Sequence, residues 1–130
     1  MYTPKEITEV AENEIFVFGS NEAGIHGAGA ARVALAFGAQ IGKGFGPEGN
    51  TFAIPTKDWN MEILPIEVIK NYVDRFTAYA SMATPFKFLV TKVGCGLAGY
   101  KIGEIAPLFA EAYKLENVVL PEEFVNYLTL

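Results

Sequence analysis

Apolar positions along the chain gather into a few runs, and the spacing inside each run predicts its shape. Residues 14–18 (EIFVF) are apolar and β-prone, which reads as a buried strand. Ala28 to Phe37 is rich in Ala and Leu and reads as a helix closed by Gly38. Thr51 to Thr56 (TFAIPT) reads as a second strand, with Pro55 near its end. Ile66, Ile69, Val73, Phe76 and Ala80 recur at three- and four-residue spacing. That is the apolar stripe of a long helix opening at Pro65 and ending near Ser81. Phe86 to Val93 (FKFLVTKV) is nearly continuous in apolar residues at its centre, as in a strand covered on both faces. A helix is expected from about Glu104 to Lys114, with Pro107 in its first turn. A short strand at Asn117–Leu120 follows, then a last helix opened by Pro121-Glu-Glu, whose acids suit the positive end of its dipole.

Strand and helix thus alternate along the chain, with no internal repeat and no linker, so one domain over residues 1–130 is expected. The alternation predicts an α/β fold: a parallel or mostly parallel sheet with helices on both faces. Ligands of such sheets bind beyond the carboxyl ends of the strands.

The breaks between runs carry the candidate chemistry. Residues 19–31 (GSNEAGIHGAGAA) lie between the first strand and the first helix, and hold four of the thirteen glycines and the only histidine. A second glycine turn, GCGLAGYKIG (94–103), follows the third strand. Both turns leave strands directly, so both fall on one edge of the sheet. Glycine lets a ligand approach the backbone closely, and a helix starting near Ala28 would aim free N–H groups at it. The first turn is neither a GxGxxG fingerprint nor a P-loop, and no Gly-Lys-Ser/Thr is present, which disfavours a triphosphate–magnesium machine. Each can equally be a tight turn with close packing. Between them, IGKGFGPEGN (41–50) reads as a loop without periodicity, either mobile or shaped around something.

Composition narrows the choice. Apolar residues make up 51% of the chain, which fits a packed core. The net charge is −5 and the cations are scattered, which argues against direct nucleic-acid binding. An anionic small ligand stays open, since backbone N–H groups bind phosphate without net positive charge. One Cys and one His exclude a disulfide within the chain and a Cys-rich metal site, so no metal and no cofactor is expected. No apolar run reaches the roughly 20 residues of a membrane span. The first residues lack the basic start and apolar centre of a signal peptide, so a cytoplasmic home and no membrane partner are expected. Among reactive side chains, Cys95 reads as a small buried hydrophobe or, with His26 as base, a nucleophile. Lys57 and Asp58 end the second strand beside the same edge. Trp59 and Tyr100 offer aromatic faces.

Taken in order, IPTKD (54–58), LPIEVIKNYV (64–73) and KVGCGLAGY (92–100) resemble the macro domain family, which binds ADP-ribose. The nearest likeness is to its branch of terminal ADP-ribose glycohydrolases and related readers. Asn21 with GIHGAGAA is similar to the asparagine and glycine-rich segment of that family. The likeness spans roughly residues 14–120 and implies a three-layer α/β/α fold, with some antiparallel pairing added to the sheet. It implies ADP-ribose, or a related nucleotide, across the strand ends, free or carried on an ADP-ribosylated macromolecule. Asn21 would then bond the distal ribose, and Gly27, Ala28, Gly29 and Ala30 would approach the ribose or diphosphate. Gly94, Cys95, Gly96, Leu97, Ala98, Gly99 and Tyr100 would wrap the diphosphate. The hydrolase branch uses a lysine that attacks the anomeric carbon, and Lys57 falls on that position. Its partner aspartate would follow GCGL, where this chain has Ala98, which can neither move a proton nor stabilise a cation. His26 remains a candidate acid or base. Three readings therefore stand: a binding module, an ADP-ribosyl hydrolase or related esterase using Lys57 or His26, and an interaction protein that kept the fold without the ligand.

Overall fold

Strand β1 (Glu14–Asn21) runs through the middle of the sheet, and its alternation sets up both layers around it. Ile15 and Val17 enter a large core on one face, while Phe16 and Phe18 enter a smaller core on the other. Successive side chains of a strand point to opposite faces, so a run apolar at every position must be covered twice. A computed structural model describes all 130 residues. The other strands are β2 (Gly46–Glu48), β3 (Thr51–Lys57), β4 (Lys87–Val90) and β5 (Val118–Val119), in the order β2-β3-β1-β4-β5. β1 pairs in parallel with β3 and β4, β4 with β5 likewise, and only β2 runs antiparallel to its neighbour β3. The result is a five-stranded, mixed, mostly parallel sheet with helices on both faces.

Helix α1 (Gly29–Ala34) covers the smaller core with Ala31 and Ala34. Helix α2 (Ile66–Met82) covers the larger one with Ile69, Val73, Phe76 and Ala80, the expected stripe. Pro65 caps it rather than opening it. The same face carries α3 (Ile102–Ile105), a 3-10 turn (Ala106–Phe109), α4 (Ala110–Tyr113) and α5 (Glu122–Leu128). The single helix expected over 104–114 is thus broken. Pro107 has no N–H to give and crowds the preceding turn, and the chain tightens there into 3-10 geometry.

Three further boundaries differ from the pattern reading. β1 continues through Gly19-Ser20-Asn21, so the head of the glycine segment belongs to the strand. β4 ends at Val90, three residues before the apolar run does. The loop 41–50 contains β2, held by pairing with Thr51–Ala53.

That loop is shaped around the end of β1. Gly42 donates to the Gly24 carbonyl at 2.9 Å, and the Ser20 hydroxyl donates to the Gly44 carbonyl. A Cβ on Gly44 would lie 2.3 Å from the Asn21 oxygen, and one on Gly24 would lie 2.4 Å from the Lys43 nitrogen. Two glycines therefore let two stretches of backbone touch where no other residue fits. No helix is long and apolar enough to cross a membrane.

Candidate functional site

The carboxyl ends of β1, β3 and β4 open into one cleft of about 480 Å³. That volume falls in the usual range for small-molecule sites, roughly 300–1,000 Å³. Of the residues singled out from sequence, Asn21, Gly27, Ala28, Gly29, Ala30 and Lys57 line it from the β1 and β3 side. Gly94, Gly96, Leu97 and Ala98 line it from the β4 side. The structure thus brings the two glycine turns together, and Leu97 Cδ1 would lie 3.7 Å from a Cβ on Gly29.

Four candidates lie outside the lining: His26, Cys95, Gly99 and Tyr100. His26 is 3% exposed and packs edge-on against Phe18, in the smaller core. Its Nε2 lies 3.0 Å from the Gln40 carbonyl and donates to it, while Nδ1 is buried without a partner. Cys95 packs against the larger core, and burial pushes its thiol up to about 11 despite the nearby Lys92. A thiol so protonated at neutral pH is a poor nucleophile. The two side chains pack on cores separated by the sheet, which leaves Cys95 without a histidine base. Gly99 closes the turn by donating to the Gly96 carbonyl, at 3.0 Å. Tyr100 staples the turn to the chain ahead of α2, its hydroxyl donating to the Leu64 carbonyl at 2.6 Å.

Asn21 is buried at the floor of the cleft and already engaged. Its Nδ2 donates to the Ile25 carbonyl at 2.7 Å, and its Oδ1 accepts the Ile25 N–H at 2.9 Å. The side chain thus sets the shape of residues 21–25, with one N–H and one lone pair left for a ligand. Lys57 pairs with Asn21 in the β1–β3 ladder, one residue past an irregularity at Ser20/Asn21. No carboxylate lies within salt-bridge distance of its ammonium group. Asp58, next to it, is occupied elsewhere: Oδ1 accepts the N–H groups of Asn60 at 2.8 Å and Glu62 at 3.0 Å. Ala98 is buried in the cleft wall where the resemblance implies an aspartate.

The electrostatics of the cleft are one-sided. Among its lining residues the only charged side chains are Lys57 and Lys92, and there is no Asp or Glu, in a chain of net charge −5. No backbone carbonyl meets the N–H groups of Gly96, Leu97 or Ala98. Such a surface attracts an anion and has donors to spare for it. Sequence reasoning missed Lys92, Thr91, Thr56 and Met61 in the lining. Thr56 and Lys92 lie inside the stretches IPTKD and KVGCGLAGY without being given a role, whereas Met61 reaches the cleft from the 58–62 turn, whose course has no local signal. Compared with protein-family models, curated proteins and solved structures, the chain finds no match.

Proposed function

We propose that the cleft binds ADP-ribose or a related nucleotide through its diphosphate, without turning it over. The observation that carries this reading is the charge of the cleft lining in an acidic chain: an unpaired Lys57, a Lys92 whose partner Glu123 lies outside the lining, and no lining carboxylate. The unpaired ammonium of Lys57 and the free N–H groups of Gly96 to Ala98 receive phosphate oxygens. Gly27 and Gly96 give the closest approach, since a Cβ on either would meet nothing of the protein within 4 Å. The spare bonding capacity of Asn21 serves a sugar hydroxyl. The resemblance to macro domains supports the same ligand from a separate direction.

Calorimetry tests the reading with ADP-ribose, AMP and adenosine. ADP-ribose binds tightest, adenosine weakest, and the affinity falls as salt is added. Lys57→Met weakens ADP-ribose roughly ten-fold, as expected for loss of one charge-assisted contact of ~1.5 kcal/mol. Absence of binding to all three ligands at millimolar concentration overturns the reading.

One observation favours a second reading, removal of ADP-ribose from a modified side chain: the amine of Lys57 stands free at the cleft edge, as an attacking group would. Ala98 weighs against it by leaving that amine without an acid or base beside it. Release of ADP-ribose from a modified peptide by the wild type, abolished in Lys57→Ala, would establish this second activity.

A further inference from the structure

A second cavity of about 260 Å³ adjoins the cleft, and the two share Ala30, Thr91 and Lys92. Lys92 is therefore the one cation common to both. Its backbone is fixed: Thr91 donates to the Val17 carbonyl at 3.0 Å, and Cys95 donates to that of Lys92 at 3.0 Å. Only the side chain is left to choose a partner. At present that partner is Glu123, in the first turn of α5, with Nζ 2.5 Å from Oε2.

We propose that Lys92 is a second anion-binding residue of the cleft, held in reserve by Glu123, so that α5 sets the affinity of the cleft for its ligand. The inference rests on the reading of the cleft as a diphosphate site. The pair is partly exposed on both sides, so its net strength is small and a ligand phosphate can compete for the ammonium. Glu123 is not stranded by the exchange. Its carboxyl is held below the usual range first by the hydrogen bond from Lys92, and Lys5, on the wall of the second cavity, adds attraction of the same sign. Lys57 differs in having no such tether. The cleft thus carries one cation that is always available and one that is released only by competition, which favours ligands with two phosphate groups over those with one.

Calorimetry on the full chain, with ADP-ribose, AMP and inorganic pyrophosphate as probes, tests this in wild type, Glu123→Gln, Glu123→Ala, Lys92→Met and the Lys92→Met/Glu123→Gln double variant. Thermal unfolding of each variant checks that it is folded. Freeing Lys92 tightens pyrophosphate and ADP-ribose about two- to five-fold in both Glu123 variants, the range set by the strength of an exposed ion pair. The gain is absent from the double variant, and it is smaller for AMP. Binding to Glu123→Gln where wild type shows none also supports the proposal. Wild-type binding with no gain in either Glu123 variant overturns it and leaves the cleft reading standing. So does a gain that survives Lys92→Met. No binding by any variant overturns the cleft reading, and this proposal with it.

Discussion

Glycines in the cleft region divide into two kinds, and the division separates what the fold needs from what a ligand needs. Gly24 has φ +71° and touches the Lys43 backbone, and Gly44 touches the Asn21 carbonyl. A methyl group at either position forces two backbones apart. Gly24→Ala is expected to cost about 2–4 kcal/mol, from left-handed strain added to overpacking. Gly27 and Gly96 sit in unstrained backbone, and a Cβ there points into open space. Gly27→Ala and Gly96→Ala should unfold within about 0.5 kcal/mol of wild type, yet weaken nucleotide binding by filling the space the ligand needs. Urea unfolding paired with calorimetry on the same four proteins distinguishes the kinds. Unchanged binding in both of the open-space variants would show that the ligand does not approach there.

At the scale of elements, one side-chain contact ties α2 to the end of β1. The Tyr72 hydroxyl donates to the Glu22 carboxylate at 2.5 Å, and Arg75 lies over the Phe45 ring at 4.3 Å. The clamp therefore joins α2 to the residue after Asn21 and to the loop that carries β2. Burial and then the Glu22 bond push the Tyr72 phenol from 10.0 to about 12. A raised pKa in the folded state means that the neutral phenol stabilises the fold. That contribution is complete below pH 10 and is lost as pH rises through 12. Tyr72→Phe should lower stability by about 1 kcal/mol at pH 7. It should also unfold with a shallower pH dependence than wild type above pH 10, measured by urea titration at stepped pH. A slope identical to wild type would show that the phenol does not titrate in this window. Elements of this kind were legible to different degrees. The Ile69–Ala80 stripe specifies α2 because its burial is written in its own spacing. β2 is not legible, because Gly46-Pro47-Glu48 has little strand preference and is extended only through its partner Thr51–Ala53. Pro107 suits the first turn of a helix starting near Glu104, but the helix starts earlier, at Ile102, which leaves the proline inside the run.

Over the whole molecule the two faces of the sheet are unequal. Twenty buried residues form the core under α2, α3, α4 and α5, with Phe76, Phe88 and Phe109 in edge contact. Six form the core under α1, three of them alanines of α1 or the turn after it. Apolar area buried on one face is thus much smaller, and with it the free energy of opening that face. Amide hydrogen exchange should run fastest in α1 among the helices that contact β1 or β3, and slowest in β1, β3 and α2. Equal protection of α1 and α2 would mean that the molecule opens only as a unit. The cleft is formed where the thin face meets the sheet edge, and this explains how much of it could be read in advance. Lys57 follows from where the second apolar run stops, and Gly94 from where the third does; Asn21 follows only from the family resemblance, because β1 runs three residues past its apolar stretch. Lys92 and Met61 do not: Lys92 falls inside the expected third strand, which in fact ends at Val90, and Met61 reaches the cleft through the turn after β3. His26 sits among cleft residues in sequence but turns into the smaller core, a choice made by Phe18 at the end of the preceding apolar run and by the Gln40 carbonyl, which lies beyond α1.

The pair of hydrogen bonds between the Asn21 side chain and the Ile25 backbone, together with the close backbone approach of Gly24 and Lys43, has a kinetic consequence. The wall of the cleft already has its shape before anything arrives, so association requires no folding step. In stopped-flow mixing, the observed rate should climb linearly with nucleotide concentration from an intercept set by dissociation and reach no plateau, because encounter alone sets the pace.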